Sequence, residues 1–309
     1  MFQLGRTLAR RGPYHFLVRN WEAIADPNHL ARAIEAEYFR DVLEPVPLDL
    51  PPGRPVLVLA PHADDEVIGA GGTLSLAARR RVPIHIAYVT DGELHDVPDS
   101  VSIRSAEADR VCAALGAEKH DLGISNTTCD VTVEHVRRLR ALVERIRPAT
   151  IMLPWLFDAP AKHRMVNHLV WLAHLVRPLP HCQIWGYQVH NVLFPNGYVD
   201  VTEVAHQKRR LIAEYTSQNV RLYRYDHLAM GMAAWNTRFL GERVKGDGIA
   251  RYVEVFFAVP CKAFCELVVR HYLSDLGATY RGNARIIRSL TRLHRALIGA
   301  GPAPADAVP

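Results

Sequence analysis

Short apolar runs alternate along the chain with longer stretches in which apolar residues recur at helical spacing. Val56–Ala60, Ile84–Thr90 and Thr150–Leu153 are such runs, and their near-continuous apolar character is typical of strands buried on both faces. Helical spacing follows at 101–115 and at 131–147. Strands that alternate with helices of this length predict an α/β fold, in which helices cover both faces of a mostly parallel sheet.

Weaker signals complete the pattern. Further helices are predicted from the glycine-rich segment at 69–72 to about Arg81, near His163, and over His29–Tyr38, Glu203–Tyr215 and Arg281–Ile298; further extended segments are predicted near Leu122 and over Ile184–His190, Val199–Val201 and Tyr252–Val259. In the 101–115 helix, the apolar residues available for a buried face are Ile103, Ala106, Val111, Ala114 and Leu115. We expect an N-terminal extension (1–50), a central domain (51–262) and a basic helical C-terminal extension with a flexible tail (263–309).

The composition is that of an ordinary globular protein. Of the 309 residues, 49% are hydrophobic and 22% are charged, and the formal net charge is +5. The basic clusters at 79–81, 137–140 and 208–210 fit either a solvated surface or a basic rim that attracts a phosphate-bearing substrate. We expect no nucleic acid partner.

The cysteines and the apolar runs bear on the compartment. The five cysteines form no C-x-x-C pair, which argues against a disulfide framework and fits a reducing environment. The N-terminus lacks the apolar run of a signal peptide, and no apolar stretch reaches the roughly 18 residues of a membrane span. These patterns predict a cytoplasmic protein.

The first strong strand ends in the segment PHADDE, which contains an imidazole and three carboxylates. In open α/β sheets, sites form where loops leave the carboxyl ends of the strands. His62 and Asp65 offer nitrogen and oxygen ligands suited to zinc, and Asp64 is then available to take a proton from a metal-activated water. The alternative is a solvated acidic loop. A buried strand directly before the segment and a glycine-rich stretch directly after it favour the metal site.

A second apolar strand, Thr150–Leu153, also leads into a segment with a possible metal ligand. His163 lies in this segment and would be a third ligand, leaving one position open for water, as in catalytic zinc sites. Considered alone, His163 fits a histidine at a helix terminus better than a metal ligand, and only its combination with the first loop favours the metal site. The glycines at 69–72 do not complete the G-x-G-x-x-G nucleotide motif, because Leu74 replaces its last glycine, and they instead indicate close packing near the metal.

Together these segments resemble the LmbE-like, or PIG-L, family of zinc-dependent N-deacetylases. The segment Val58–Glu66 with Gly69–Thr73 carries the most specific likeness, and it is supported by weaker matches at the points where that family has later motifs: Thr90–Glu93, Arg104 with Glu107, Leu115-Gly116, Asp200–Thr202, Lys208, Ser217-Gln218 and Tyr252–Phe256. The likeness extends over roughly residues 54–260.

The resemblance implies a Rossmann-like fold and a zinc enzyme that removes an acetyl group from an N-acetylglucosamine-type sugar in a larger conjugate. It implies His62, Asp65 and His163 as zinc ligands and Asp64 as the general base. It also implies that the substrate contacts are made by Glu93, Arg104, Asn126 and Asp158.

The chain departs from the family pattern in the segment that contains His163. The family commonly has His-Pro-Asp-His there, whereas this chain has Pro160-Ala161-Lys162-His163, and Asn126 stands at what resembles a usual aspartate position. The first family histidine polarises the acyl oxygen or protonates the leaving amine, and Pro160 can do neither. Lys162 and His190 are the candidate catalytic replacements, although a solvated lysine and a packed histidine are the alternatives.

Three functions therefore compete: an amino-sugar N-deacetylase, a same-fold zinc enzyme with different chemistry (an amidase on another conjugate, or a hydratase), and a catalytically silent metal-binding protein. The expected partner of the first is a small amino-sugar conjugate, with or without a lipid or phosphate group. Arginines lie among apolar residues in Leu4–Arg11 and Arg281–Leu297. These segments either pack on the domain or a sister subunit, or contact an anionic membrane surface.

Overall fold

The computed structural model describes residues 45–95, 97–219, 224–240, 249–281 and 283–298. The helix predicted over His29–Tyr38, the segment Leu4–Arg11 and the predicted tail beyond residue 298 lie outside these ranges.

The strands of the described residues form one sheet of eight strands: β1 (Val46–Pro47), β2 (Val56–Ala60), β3 (Ile84–Thr90), β4 (Glu118–Ile124), β5 (Thr150–Pro154), β6 (Gln183–Tyr187), β7 (Gly197–Asp200) and β8 (Val253–Pro260). The strand order is β1-β7-β8-β6-β5-β2-β3-β4. β8 runs antiparallel between β6 and β7, and the other pairs are parallel. The predicted mostly parallel sheet is confirmed.

Helices connect the strands and follow the last of them: α1 (Asp65–Arg79), α2 (Ser100–Leu115), α3 (Val133–Ile146), α4 (Ala161–Val176), α5 (Ala205–Ala213), α6 (Tyr225–Trp235), α7 (Cys261–Val268), α8 (Leu276–Thr279) and α9 (Ala284–Ile298). A single π-helical turn at Val269–Leu273 continues α7, and 3-10 turns lie at Thr202–Val204 and Asn236–Phe239. α1 begins inside the PHADDE segment, several residues before the glycines at which its start was predicted.

The core lies on both faces of the sheet. In β2, Leu57 and Leu59 point into one apolar cluster and Val56 and Val58 into the other, because successive side chains of a strand alternate between its faces. All five residues of β2 are buried. A strand buried on both faces needs apolar residues at every position, which is why the sequence shows an unbroken run here.

α2 differs from its sequence prediction. Ile103, Ala106 and Ala114 are exposed, although they were expected on the buried face. Arg104 and Glu107 are buried in their place, along with Val111 and Leu115. Both charged residues point towards polar partners near the candidate site, and this specific bonding outweighs the cost of burying them.

The glycines of α1 are positions of close packing, as the sequence indicated, but against other elements of the fold. A Cβ atom at Gly69 would lie 2.3 Å from the Tyr187 ring, and one at Gly72 would lie 2.6 Å from Val201. Next to them, Glu254 of β8 accepts hydrogen bonds from the Gly72 and Thr73 amides, each at 2.8 Å. The buried ammonium of Lys208 pairs with the same carboxylate at 2.6 Å.

The apolar face of α9 packs on the domain. Ile286, Leu290 and Leu293 are at most 2% exposed and belong to the larger core cluster. Of the two alternatives for this segment, the structure shows packing, so these side chains are not presented to a membrane. In the described part of the chain, none of the helices has both the length and the apolarity needed to cross a bilayer.

Candidate active site

Two loops meet at the carboxyl edge of the sheet. β2 and β5 are hydrogen-bonded neighbours that run in the same direction, so their carboxyl ends lie side by side. The first loop leads from β2 into α1, and the second leads from β5 into α4. This topology brings His62 and Asp65, which are distant in sequence from His163, next to that residue.

His62, Asp65 and His163 form a compact group, whose candidate ligand atoms all lie within 4.8 Å of one another. His62 Nδ1 is 3.1 Å from Asp65 Oδ2, and His163 Nε2 is 3.4 Å from the same oxygen. Two imidazole nitrogens and a carboxylate oxygen are a donor set that zinc accepts.

His163 is held by Asp158 and points its other nitrogen at Asp65. Its Nδ1 lies 2.9 Å from Asp158 Oδ2, while Asp158 Oδ1 accepts hydrogen bonds from the amides of His190 and Asn191. His163 Nε2 is buried and has no hydrogen-bond partner among the described residues. A carboxylate behind one nitrogen and an unsatisfied second nitrogen facing two other ligands is the arrangement of a metal-binding histidine. The residues therefore fit a zinc ion.

Asp64 lies beside this group in an unusual backbone conformation. Its φ angle is 133°, which costs a non-glycine residue about 1–3 kcal/mol, and the Glu66 carboxylate accepts a hydrogen bond from its amide at 3.1 Å. The side chain of Asp64 lines the cavity and is 8% exposed.

The two adjacent aspartates differ in their electrostatics in the metal-free protein. Burial, reinforced by the charge of Asp65, raises the pKa of Asp64 well above its usual value, and Arg104 opposes the shift. Burial also acts to raise the pKa of Asp65, but His163 and His62 outweigh it and hold that pKa below its ordinary range. Asp65 is thus the carboxylate that stays ionised next to the imidazoles, and Asp64 is the one whose proton affinity is raised.

Glu66 forms a buried support beneath the loop. Its Oε1 accepts hydrogen bonds from Tyr88 OH, at 3.1 Å, and from Tyr215 OH. Burial raises the pKa of Glu66 to about 7, and the hydrogen bond from Tyr215 partly offsets this. These bonds connect the first loop to β3 and to the segment after α5, and so fix the position of Asp64.

A cavity of about 260 Å³ opens beside the candidate metal group, and His62 and Asp65 are part of its lining. Its lining contains Ile68, Leu94, Arg104, Asn126, Pro160, Lys162, His190, Gln218 and Tyr225, in addition to His62, Asp64 and Asp65. Arg104 donates to Gln218 Oε1 at 2.7 Å, but its buried Nε has no hydrogen-bond partner among the described residues. The next turn of α2 is fixed by Glu107, which accepts hydrogen bonds from Thr216 and Ser217.

Lys162 and Asn126 contact each other at the wall of this cavity. Lys162 Nζ lies 2.6 Å from Asn126 Oδ1, and Asn126 Nδ2 donates to the Glu93 carbonyl at 2.9 Å. His190 also lines the cavity, with its ring centroid 5.4 Å from that of His163. Both candidate replacements for the family histidine are thus next to the metal group.

Four residues were expected to contact the substrate, and two of them line the cavity. Arg104 and Asn126 do so. Glu93 lies behind Asn126, where its carboxylate accepts hydrogen bonds from Ser125 and Thr127. Asp158 is fully buried behind His163. Two backbone amides and the His163 imidazole bind its carboxylate and keep it turned away from the cavity. This position suits a residue that orients the candidate metal ligand His163.

Sequence reasoning assigned no role to Glu66 or Tyr225. Glu66 belongs to the PHADDE segment, and its position directly after two aspartates could have indicated that it belongs to the site. Tyr225 opens α6, and it reaches the cavity only through the tertiary fold. No local pattern marks it.

Comparison with known proteins finds a protein family whose model matches the segment that contains this site. A model described as PIG-L, GlcNAc-PI de-N-acetylase, matches residues 57–174, which include the whole candidate metal group. Residues 57–174 are thus similar to the PIG-L (LmbE-like) domain. Diacetylchitobiose deacetylase of Thermococcus kodakarensis is 27% identical over 187 residues, and the match covers 53% of this chain and 70% of that protein.

Solved structures share the fold of the PIG-L domain. N,N'-diacetylchitobiose deacetylase of Pyrococcus horikoshii superposes with a TM-score of 0.56 at 22% identity, covering 78% of this chain and 96% of that one. A 4-carboxy-2-hydroxymuconate hydratase of Pseudomonas putida gives 0.55 at 20% identity, covering 67% and 96%. Because these two proteins carry out different reactions, the shared fold alone does not select the chemistry.

Proposed function

We propose that the protein is a zinc-dependent hydrolase that removes an acetyl group from the amide nitrogen of an N-acetylglucosamine-type sugar. The observation that carries this proposal is the group of His62, Asp65 and His163, of which the first two line a cavity together with Asp64. The match to the GlcNAc-PI de-N-acetylase family and the similarity to a diacetylchitobiose deacetylase support the amide of an amino sugar as the bond that is cleaved.

His62, Asp65 and His163 would hold the zinc ion, and Asp158 would keep His163 in the tautomer that ligates. A zinc ion there would supply Lewis acidity, lowering the pKa of a coordinated water and polarising the acetyl carbonyl. Asp64 would take the proton from the attacking water and return it to the leaving amine.

The acetyl oxygen also needs a donor from the chain as negative charge develops on it. Pro160 occupies the cavity wall and has no proton to donate. An ammonium group has three N–H donors, and Lys162 directs one of them to Asn126. We propose Lys162 as this donor, with His190 as the alternative, because both line the same cavity as Asp64.

The sugar would bind between Arg104 and Asn126. The buried Nε of Arg104, which has no partner among the described residues, is suited to a hydroxyl or carbonyl oxygen of the ligand. A second concavity of about 530 Å³ shares Asn126 and Lys162 with the first and is also lined by Arg285 and Arg288. This basic continuation favours a conjugate whose remainder carries a phosphate or another anionic group.

The test is an acetate-release assay on N-acetylglucosaminyl conjugates that differ only in the aglycone: a neutral glycoside, a nucleotide-linked sugar and a lipid-phosphate-linked sugar. We expect free acetate and a free amine, with the anionic conjugates preferred, and loss of the reaction in Asp64→Asn protein. Zinc-loaded protein that releases no acetate from any of these conjugates would show that this domain carries out a different reaction.

A further inference from the structure

A second group of potential metal ligands lies far from the cavity. The candidate ligand atoms of His174, Cys261 and Cys265 all lie within 4.8 Å of one another. Cys182 lies next to this group, because its backbone carbonyl accepts a hydrogen bond from the Cys261 amide at 3.0 Å. Two of the five cysteines of the chain therefore meet a histidine at one point, and a third lies beside them.

Three elements bring these residues together at the amino edge of the parallel strands. Cys182 directly precedes β6, and the Cys261 amide donates to its carbonyl at 3.0 Å. Cys261 and Cys265 occupy the first turns of α7 at a spacing of four residues, so their side chains share one helix face. His174 lies in the last turn of α4.

We propose that His174, Cys182, Cys261 and Cys265 form a structural zinc site with three cysteine ligands and one histidine ligand. Tetrahedral zinc holds sulfur and nitrogen ligands about 3.6–3.8 Å apart, given metal–ligand bonds of about 2.3 and 2.0 Å. The sulfur of Cys261 and Nδ1 of His174 are already 3.9 Å apart, so these two ligands need to move little, whereas the Cys182 side chain would turn towards the ion. On binding, each ligating thiol releases its proton to solvent.

The neighbours of the site are compatible with a bound ion. Cys182, Cys261 and Cys265 are 4–8% exposed, which suits a closed site without bound water. His174 Nδ1 accepts a hydrogen bond from the Leu179 amide at 3.3 Å. That distance marks a weak bond, so a metal ion can displace it at small cost.

Such a site would stabilise the helix that contains a candidate catalytic ligand. α4 has His163 in its first turn and His174 in its last, eleven residues later, or about 16 Å along the axis. An ion that ties His174 to β6 and α7 would fix the far end of α4, and it would act on the catalytic loop only through the rigidity of that helix.

Cobalt substitution distinguishes this site from the candidate active site. Thiolate ligands give Co²⁺ an intense charge-transfer absorption in the near ultraviolet, whereas the group of His62, Asp65 and His163 contains no sulfur. Full-length protein stripped with a chelator and titrated with Co²⁺ should bind two ions and show this absorption. Asp65→Ala protein should bind one ion and keep the absorption, so the outcome does not depend on the proposed function.

Matched variants complete the test. Cys265→Ser should lose one ion and the absorption, while Cys129→Ser, at a buried cysteine outside the group, should keep both. His174→Cys should retain the ion with a stronger absorption, which guards against a variant that merely fails to fold. In the Asp65→Ala background, chelation should lower the midpoint of thermal unfolding by several degrees.

Two results would overturn the proposal. The first is a wild-type protein that shows no thiolate absorption with excess Co²⁺ while its thiols remain reduced. The second is a Cys182–Cys261 or Cys261–Cys265 disulfide in freshly purified protein, detected as a loss of two hydrogens in the intact mass and located by peptide mapping.

Discussion

The loop after β2 and the loop after β5 face each other across the candidate metal group, but they are constructed differently. In the first, the contacts among the site residues themselves are local: His62 and Asp65 bind each other, and Glu66 accepts a hydrogen bond from the Asp64 amide. Distant residues act on this loop only through Glu66, which Tyr88 and Tyr215 bind. In the second, Asp158 holds His163 and is itself held by amides about 30 residues later in the chain. The first loop can be recognised from nine residues of sequence, whereas the second is defined only by the folded chain.

This contrast indicates which part of the site can change. The first loop supplies metal ligands and a base within four consecutive positions, and each residue depends on its neighbours. The second loop keeps its ligand, His163, while Pro160 and Lys162 replace the residues found in the family pattern. We infer that metal binding constrains the first loop tightly, and that the second loop can alter the chemistry around a retained ligand.

The largest expected effect is that of Asp65→Ala. Asp65 contacts His62 in the first loop and His163 in the second. Its loss therefore removes the carboxylate that links the two loops, which is also the anionic member of the proposed ligand set. We expect the zinc content to fall by one ion per chain and acetate release to become undetectable. Elemental analysis of the purified protein measures this, and retention of the full zinc content would refute the assignment of Asp65.

The second-largest effect is expected from Asp64→Asn, which keeps the size of the side chain but removes its ability to accept a proton. We expect a rate loss of about 100-fold or more, the scale for removing a general base, with the zinc content unchanged. Single-turnover rates measured alongside metal analysis separate this outcome from that of Asp65→Ala. If the two variants behave alike, the two adjacent aspartates do not have separate roles.

In the second loop, Lys162→Met should reduce the single-turnover rate by about 100-fold, as expected for the removal of one donor to a developing oxyanion. Lys162→Arg keeps the charge and should recover part of the rate. His190→Phe tests the alternative donor. Full activity in both Lys162→Met and His190→Phe, with zinc occupancy confirmed, would place the donor elsewhere in the cavity.

The smallest effect is expected from Asp158→Asn. The amide keeps the size of the side chain but weakens the hydrogen bond to His163 Nδ1, and losses at such supporting positions are about 10- to 100-fold in metal affinity. Competition with a zinc chelator measures the affinity. If Asp158 positions the ligand His163 and does not contact the substrate, as its burial behind that residue indicates, added zinc should restore most of the activity. A rate loss that persists at saturating zinc would instead point to the substrate contact predicted from the sequence.

Much of the sheet follows from the sequence because its strands are buried on both faces, and apolar runs reveal that directly. The position of β8 cannot be predicted from the sequence in the same way, because no residue pattern within the strand indicates that it pairs with β6 and β7. The hydrophobic pattern does not reveal the buried charges for a similar reason. Arg104 and Glu107 are absent from the buried face that it predicts for their helix, although the family resemblance implies a substrate contact for Arg104. Only their tertiary partners show that both side chains face inward. Lys208 and Glu254, 46 residues apart, become a recognisable pair only in the folded chain.

The place of β8 in the sheet has a consequence for synthesis of the chain on the ribosome. The five parallel strands from β6 to β4 are complete once Tyr187 has emerged, and by then His62, Asp65 and His163 have also been synthesised. The edge of β6 then stays unpaired while about 70 further residues are synthesised, until Val253–Pro260 can pair between β6 and β7. During that interval the nascent chain presents an unpaired strand edge, the feature that most readily captures other extended chains. A ribosome that stalls before residue 253 would therefore hold a chain that has all the residues of the candidate metal site but also an unpaired, aggregation-prone sheet edge.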